Sequence, residues 1–78
     1  MRTITEINHP SCRISVFSWN QKYLIKLEQP GLEQTFKVNE IYVSGGDEGI
    51  KKMISEEFIA SAVKRFDEMR SELRKLIG

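Results

Sequence analysis

The hydrophobic pattern of this chain changes period once. Over residues 12–44 apolar and polar positions alternate every second residue, the mark of half-buried strands. Over residues 55–77 apolar positions return every third or fourth residue, the mark of an amphipathic helix. The stretch VFSWNQKYLIKLE, residues 16–28, breaks the first rule because apolar side chains occupy both parities. Placing Asn20 and Gln21 in a tight turn resolves it. Trp19 then opposes Lys22, Phe17 opposes Leu24, Val16 opposes Ile25, Ile14 opposes Leu27 and Arg13 opposes Glu28. A slip of one residue would set Val16 against Lys26 and Ile14 against Glu28, so the hydrophobic pattern selects the first register.

The same arithmetic extends along the chain. Pro30-Gly31 suits the centre of a type II turn, since Pro presets φ and Gly accepts a positive φ. It pairs Ile25 with Phe36 and Tyr23 with Val38 on one face, and Lys26 with Thr35 and Leu24 with Lys37 on the other. A third turn at Asn39-Glu40 would set Val38 against Ile41 and Phe36 against Val43, with Tyr42 beside Lys37 outside. The prediction is a four-stranded antiparallel meander over 12–19, 22–28, 33–38 and 41–44. Its core face carries Ile14, Val16, Tyr23, Ile25, Leu27, Phe36, Val38, Ile41 and Val43.

Ser55 is a good N-cap, with Glu56 and Glu57 in the first turn where carboxylates complement the helix dipole. Ile54 and Ile59 occupy the positions of a hydrophobic staple. A helix over 56–77 follows, its stripe running through Ile59, Ala62, Phe66, Met69, Leu73 and Leu76. Such a helix is about 33 Å long, whereas strands of six to eight residues reach about 20–27 Å. Its far end would overhang the sheet, which points to a homodimer with contacts at Phe66, Met69, Leu73, Leu76 and Ile77. The fold class is therefore α+β in one domain: an N-terminal arm (1–11), the sheet (12–44), a Gly-rich loop with a short helical turn (45–55) and the long helix (56–77). The loop should turn Ile50, Met53 and Ile54 inward, and residues 1–10 are an arm or an extra edge strand.

Composition narrows the chemistry. With 78 residues and a net charge of +1, the chain has one small core and no global attraction to polyanions. A single cysteine, Cys12, leaves no disulfide framework or multi-cysteine zinc site, and suits a buried thiol in a reducing compartment. The N-terminus has no apolar signal segment and no run is long enough to span a membrane, so a cytoplasmic, bacterial protein is expected. GGDEG at 45–49 resembles the GGDEF signature of diguanylate cyclases in four letters only, without the rest of that domain, and Asp47 and Glu48 would repel phosphate. His9 is the only histidine, and no third group accompanies it and Cys12 to make a nucleophile–base pair productive. No enzyme and no cofactor is expected.

What remains is the outer sheet face, where Phe17, Trp19, Leu24 and Tyr42 interleave with Arg13, Lys22, Lys26 and Lys37. All four basic residues of the predicted sheet fall there, and Glu28 and Glu33 leave a local charge of about +2. Rings among cations suit single-stranded DNA or RNA, whose bases stack while the phosphates follow the lysines. The alternative is a protein interface that buries the same rings against another chain. The order β-β-β-β-α with an aromatic, basic sheet resembles the single-strand-binding fold shared by Whirly proteins, Pur-type repeats and a eukaryotic transcription coactivator domain. That resemblance covers residues 12–77 at the level of topology, and it implies helix-mediated pairing of two units with nucleic acid on the sheets.

Overall fold

In a computed structural model describing residues 1–78, four strands form one antiparallel sheet in the order β1-β2-β3-β4. They are β1 (Arg2–Asn8), β2 (Arg13–Trp19), β3 (Lys22–Gln29) and β4 (Leu32–Asn39), followed by helices α1 (Gly46–Met53) and α2 (Glu56–Ile77). The β2–β3 and β3–β4 registers are those the hydrophobic pattern selects, from Arg13 opposite Glu28 to Trp19 opposite Lys22, and from Tyr23 opposite Val38 to Ile25 opposite Phe36. Asn20 and Gln21 both take positive φ, 52° and 62°, as a type I′ turn requires, and its twist matches that of the flanking strands. Gly31, at φ 77°, makes the type II bend at which β3 turns into β4.

The set of four strands differs from the prediction at both ends. Residues 2–8, expected as an arm or an extra edge strand, are the edge strand, paired with β2 from Arg2–Ser18 to Asn8–Arg13. A β-bulge between Thr3 and Thr5 hides it in the sequence. Ile4 and Ile7 stand three apart, which is wrong for a strand with period two, but the extra residue of the bulge lets both pack on the core. Conversely, residues 41–44 form no strand. The Asn39 side chain accepts the Ile41 N–H at 3.1 Å and caps a 3₁₀ turn over Glu40–Tyr42, consuming the donor that a hairpin would have used. Ile41 is therefore 78% exposed instead of core, and Tyr42 has left the sheet instead of standing beside Lys37.

Both helices cover the same sheet face. The core is Ile14 and Val16 from β2, Tyr23, Ile25 and Leu27 from β3, Ile50 from α1, and Ile59, Ala62 and Phe66 from α2, with Cys12 at its margin. The expected loop at 45–55 is thus mostly helix, and it buries Ile50 while leaving Met53 on the surface. GGDEG has a structural explanation. A Cβ on Gly49 would lie 1.8 Å from the Ser44 carbonyl oxygen, so only glycine lets α1 fold back on the chain that enters it. Ser55 caps α2 by accepting the Phe58 N–H at 3.1 Å. From there the 22 residues of α2 outrun the sheet, and the molecule extends 44 × 24 × 19 Å. Leu76 and Ile77 at its end are 82% and 76% exposed.

Candidate binding face

No element of the fold lies over the outer face of the sheet, and the strand registers arrange its side chains in rows. Next to the Asn20–Gln21 turn the first row is Trp19, Lys22 and Asn39, and the second is Thr3, Phe17, Leu24 and Lys37. The third is Glu6, Ser15, Lys26 and Thr35, and the fourth is Asn8, Arg13, Glu28 and Glu33. Charges segregate along this axis. At the far end Arg13 pairs with Glu6 at 3.3 Å, while Lys26 lies 3.9 Å from Glu28 and 3.6 Å from Glu33. Lys22 and Lys37, in the first two rows, make no ion pair and have no carboxylate in their own rows. Two of the four basic residues expected to meet a ligand are thus already engaged. Glu6, supplied by the strand that the sequence concealed, lowers the charge of the face further.

The apolar part of the face is concentrated at the turn end. Trp19 is 52% exposed, and Phe17 and Leu24, directly opposite each other, are half-buried. Phe17 and Trp19 are two positions apart on one strand, about 7 Å. Tyr42 is exposed but stands in the 3₁₀ turn after β4, outside these rows. Of the residues expected at a dimer contact, Phe66 is wholly buried within its own chain and can meet no partner. Met69, Leu73 and Leu76 instead line a shallow groove with Leu32 of β4.

Three polar clusters lie elsewhere, and each ties elements together. Arg2 donates to both carboxylate oxygens of Asp47, at 2.8 and 3.2 Å, and Tyr23 Oη donates to the same group at 3.4 Å, fastening α1 to β1 and β3. The Arg2 hydrogen bond holds the Asp47 carboxyl below its usual range, while desolvation, assisted by Asp47, pushes the Tyr23 phenol up. Gln34 of β4 donates to the Ala62 carbonyl at 2.8 Å and accepts from Arg65 Nε at 2.8 Å, and the Arg65 guanidinium lies 5.6 Å from the Phe36 ring centroid. His9 accepts the Ser11 N–H on Nδ1 at 3.0 Å, so its other nitrogen carries the proton and donates to Glu56 at 3.0 Å. Burial pushes the Cys12 thiol up, away from the thiolate a nucleophile needs. No three His, Cys, Asp or Glu side chains gather as a metal site would require, and no helix is long and apolar enough to cross a membrane. No protein-family model, curated protein or solved structure matches the chain.

Proposed function

We propose that the protein is a small non-catalytic homodimer of the cytoplasm that binds single-stranded nucleic acid on the turn end of the outer sheet face. The observation that carries this reading is the segregation on that face. Trp19, Phe17 and Leu24 lie among two unpaired lysines, Lys22 and Lys37, and the carboxylates are confined to the opposite end. Trp19 and Phe17 supply stacking platforms for successive bases, each worth about 1–3 kcal/mol. The lysines supply phosphate contacts, and the β-β-β-β-α order, which runs over residues 2–77 instead of 12–77, still resembles that of single-strand-binding domains. Arg13 and Lys26 hold their carboxylates and orient the surface without touching the ligand.

The test is quenching of the single tryptophan by unlabelled oligo(dT) and oligo(rU) at low salt. Saturable quenching that disappears in Phe17→Ala supports the reading. An unchanged spectrum at high micromolar oligonucleotide refutes it. A protein partner on the same rings is the second reading, favoured by the ion pairing that leaves half of the face with three carboxylates, Glu6, Glu28 and Glu33, to the two cations Arg13 and Lys26. Light scattering of Trp19→Ala separates the two, because loss of assembly in that variant makes the face an interface instead of a nucleic-acid platform.

A further inference from the structure

The two edges of the sheet are built differently. β1 carries the bulge at Thr3/Thr5, a device that twists an edge away from further pairing. β4 has no such device. Its eight residues keep one unshifted register with β3 from Leu32 to Asn39 and contain no proline, so its outer edge is regular along its whole length. The direction of its backbone groups follows from the turn. In a two-residue hairpin the closing pair, here Gln29 and Leu32, exchanges hydrogen bonds, so even-numbered residues of β4 point their N–H and C=O at β3. The Glu40 N–H, bonded to the Gln21 carbonyl at 3.1 Å, continues the same parity. Glu33, Thr35 and Lys37 therefore point theirs outward, and all three side chains are exposed on the outer face.

We propose that β4 pairs antiparallel with β4 of a second copy about a two-fold axis at Thr35, joining the two sheets into one. The register follows from charge. With Thr35 opposite Thr35, Glu33 of each copy stands opposite Lys37 of the other, and every outward N–H and C=O of these residues finds a partner. A shift of two residues either way sets Thr35 opposite Lys37 or Glu33 and makes no ion pair. A shift of four sets Lys37 against Lys37 or Glu33 against Glu33, which like-charge repulsion disfavours. Glu33 Oε1 lies 3.6 Å from Lys26 of its own chain, and Oε2, which accepts the Thr35 hydroxyl at 2.9 Å, has a second lone pair for the Lys37 of the second copy.

The same register matches the other face. Leu32 meets Val38 of the second copy, and Gln34, held by the Ala62 carbonyl and Arg65, meets Phe36, so the half-buried rows of the two β4 strands adjoin. Gly31 falls opposite Asn39, so the exposed Ile41 of the second copy arrives where the groove formed by Leu32, Met69, Leu73 and Leu76 opens. This inference rests on the homodimer part of the proposed function and not on nucleic acid.

Sedimentation equilibrium over a concentration series tests it, with circular dichroism to show that each variant folds. The wild type is expected to dimerise. Glu33→Lys and Lys37→Glu should each weaken the dimer at least tenfold, and the double exchange should restore it, a rescue that only a 33-to-37 register predicts. Thr35→Pro, which removes an outward N–H at the axis and spares the β3 ladder, should also dissociate it. A monomeric wild type overturns both the seam and the homodimer reading. A dimer indifferent to Thr35→Pro and to the charge exchanges, but dissociated by Leu76→Glu, overturns the seam and leaves a helix-paired homodimer standing.

Discussion

Salt dependence distinguishes a face with four available cations from one with two. Each phosphate neutralised on a single strand contributes about −0.7 to the slope of log affinity against log salt. If Arg13, Lys22, Lys26 and Lys37 all met phosphates, the slope would be about −2.8, and raising salt from about 50 to 200 mM would cost about 50-fold in affinity. Because Arg13 and Lys26 are held by Glu6, Glu28 and Glu33, only Lys22 and Lys37 remain. The expected slope is about −1.4, a loss of about 7-fold over that range. Where Lys37 is drawn to Glu33 across the seam it falls toward about −0.7, a loss of about 3-fold. The perturbations are Lys22→Gln and Lys26→Gln, read by Trp19 quenching with oligo(dT) at several salt concentrations. Lys22→Gln should flatten the slope by about 0.7, whereas Lys26→Gln should leave it unchanged. A wild-type slope near −2.8, or an equal flattening by both variants, refutes the assignment.

Gly49→Ala drives a methyl group into the Ser44 carbonyl at 1.8 Å, and should cost at least about 1–3 kcal/mol. Thermal denaturation would show this as a fall of several degrees or loss of the native fold. Gln21→Gly removes a side chain from a left-handed position at φ 62°, and should stabilise the hairpin by about 0.5–1 kcal/mol, raising the melting temperature. The carboxyl of Asp47 titrates lower in the folded chain than in the unfolded one because Arg2 hydrogen-bonds its ionised form. Its contribution is therefore complete above the unfolded pKa of about 4 and is lost as pH falls through the lower folded value. Denaturant titrations of Asp47→Asn should show a shallower loss of stability on the acid side and no change in slope near neutrality.

The middle of the sheet and the long helix are legible in the sequence because several local signals agree there. In β2 and β3 the turn chemistry, alternation and charge placement all select one register. In α2 the Ser55 cap and the apolar stripe coincide. At the chain's two ends the signals conflict. The bulge at Thr3/Thr5 interrupts the alternation by which β1 would be recognised. IYVS reads as a strand by propensity, but the Asn39 side chain, whose preference for capping competes with hairpin formation, claims the Ile41 N–H. The candidate face is legible to the same degree. Pairing arithmetic gives the neighbours of Trp19 and Phe17, but Glu6 becomes visible only once β1 is in place. Neither the Arg2–Asp47–Tyr23 cluster nor the Gln34 clamp has a periodic signal, since each joins residues distant in sequence through side chains alone.

The sheet order β1-β2-β3-β4 also bears on how the chain reaches this state. Every strand pairs only with its sequence neighbours, and two of the three hairpins close through two residues, so most sheet contacts form over short loops and folding should be fast. The lid arrives last. Ile14, Val16, Tyr23, Ile25 and Leu27 come from the first half of the chain, whereas Ile59, Ala62 and Phe66, which cover them, lie near its end. During synthesis the meander therefore emerges with its apolar face bare, and it stays so until α2 has been made. In that interval the regular edge of β4 is available to any other chain, and the alternating charges of Glu33 and Lys37 discourage pairing out of register.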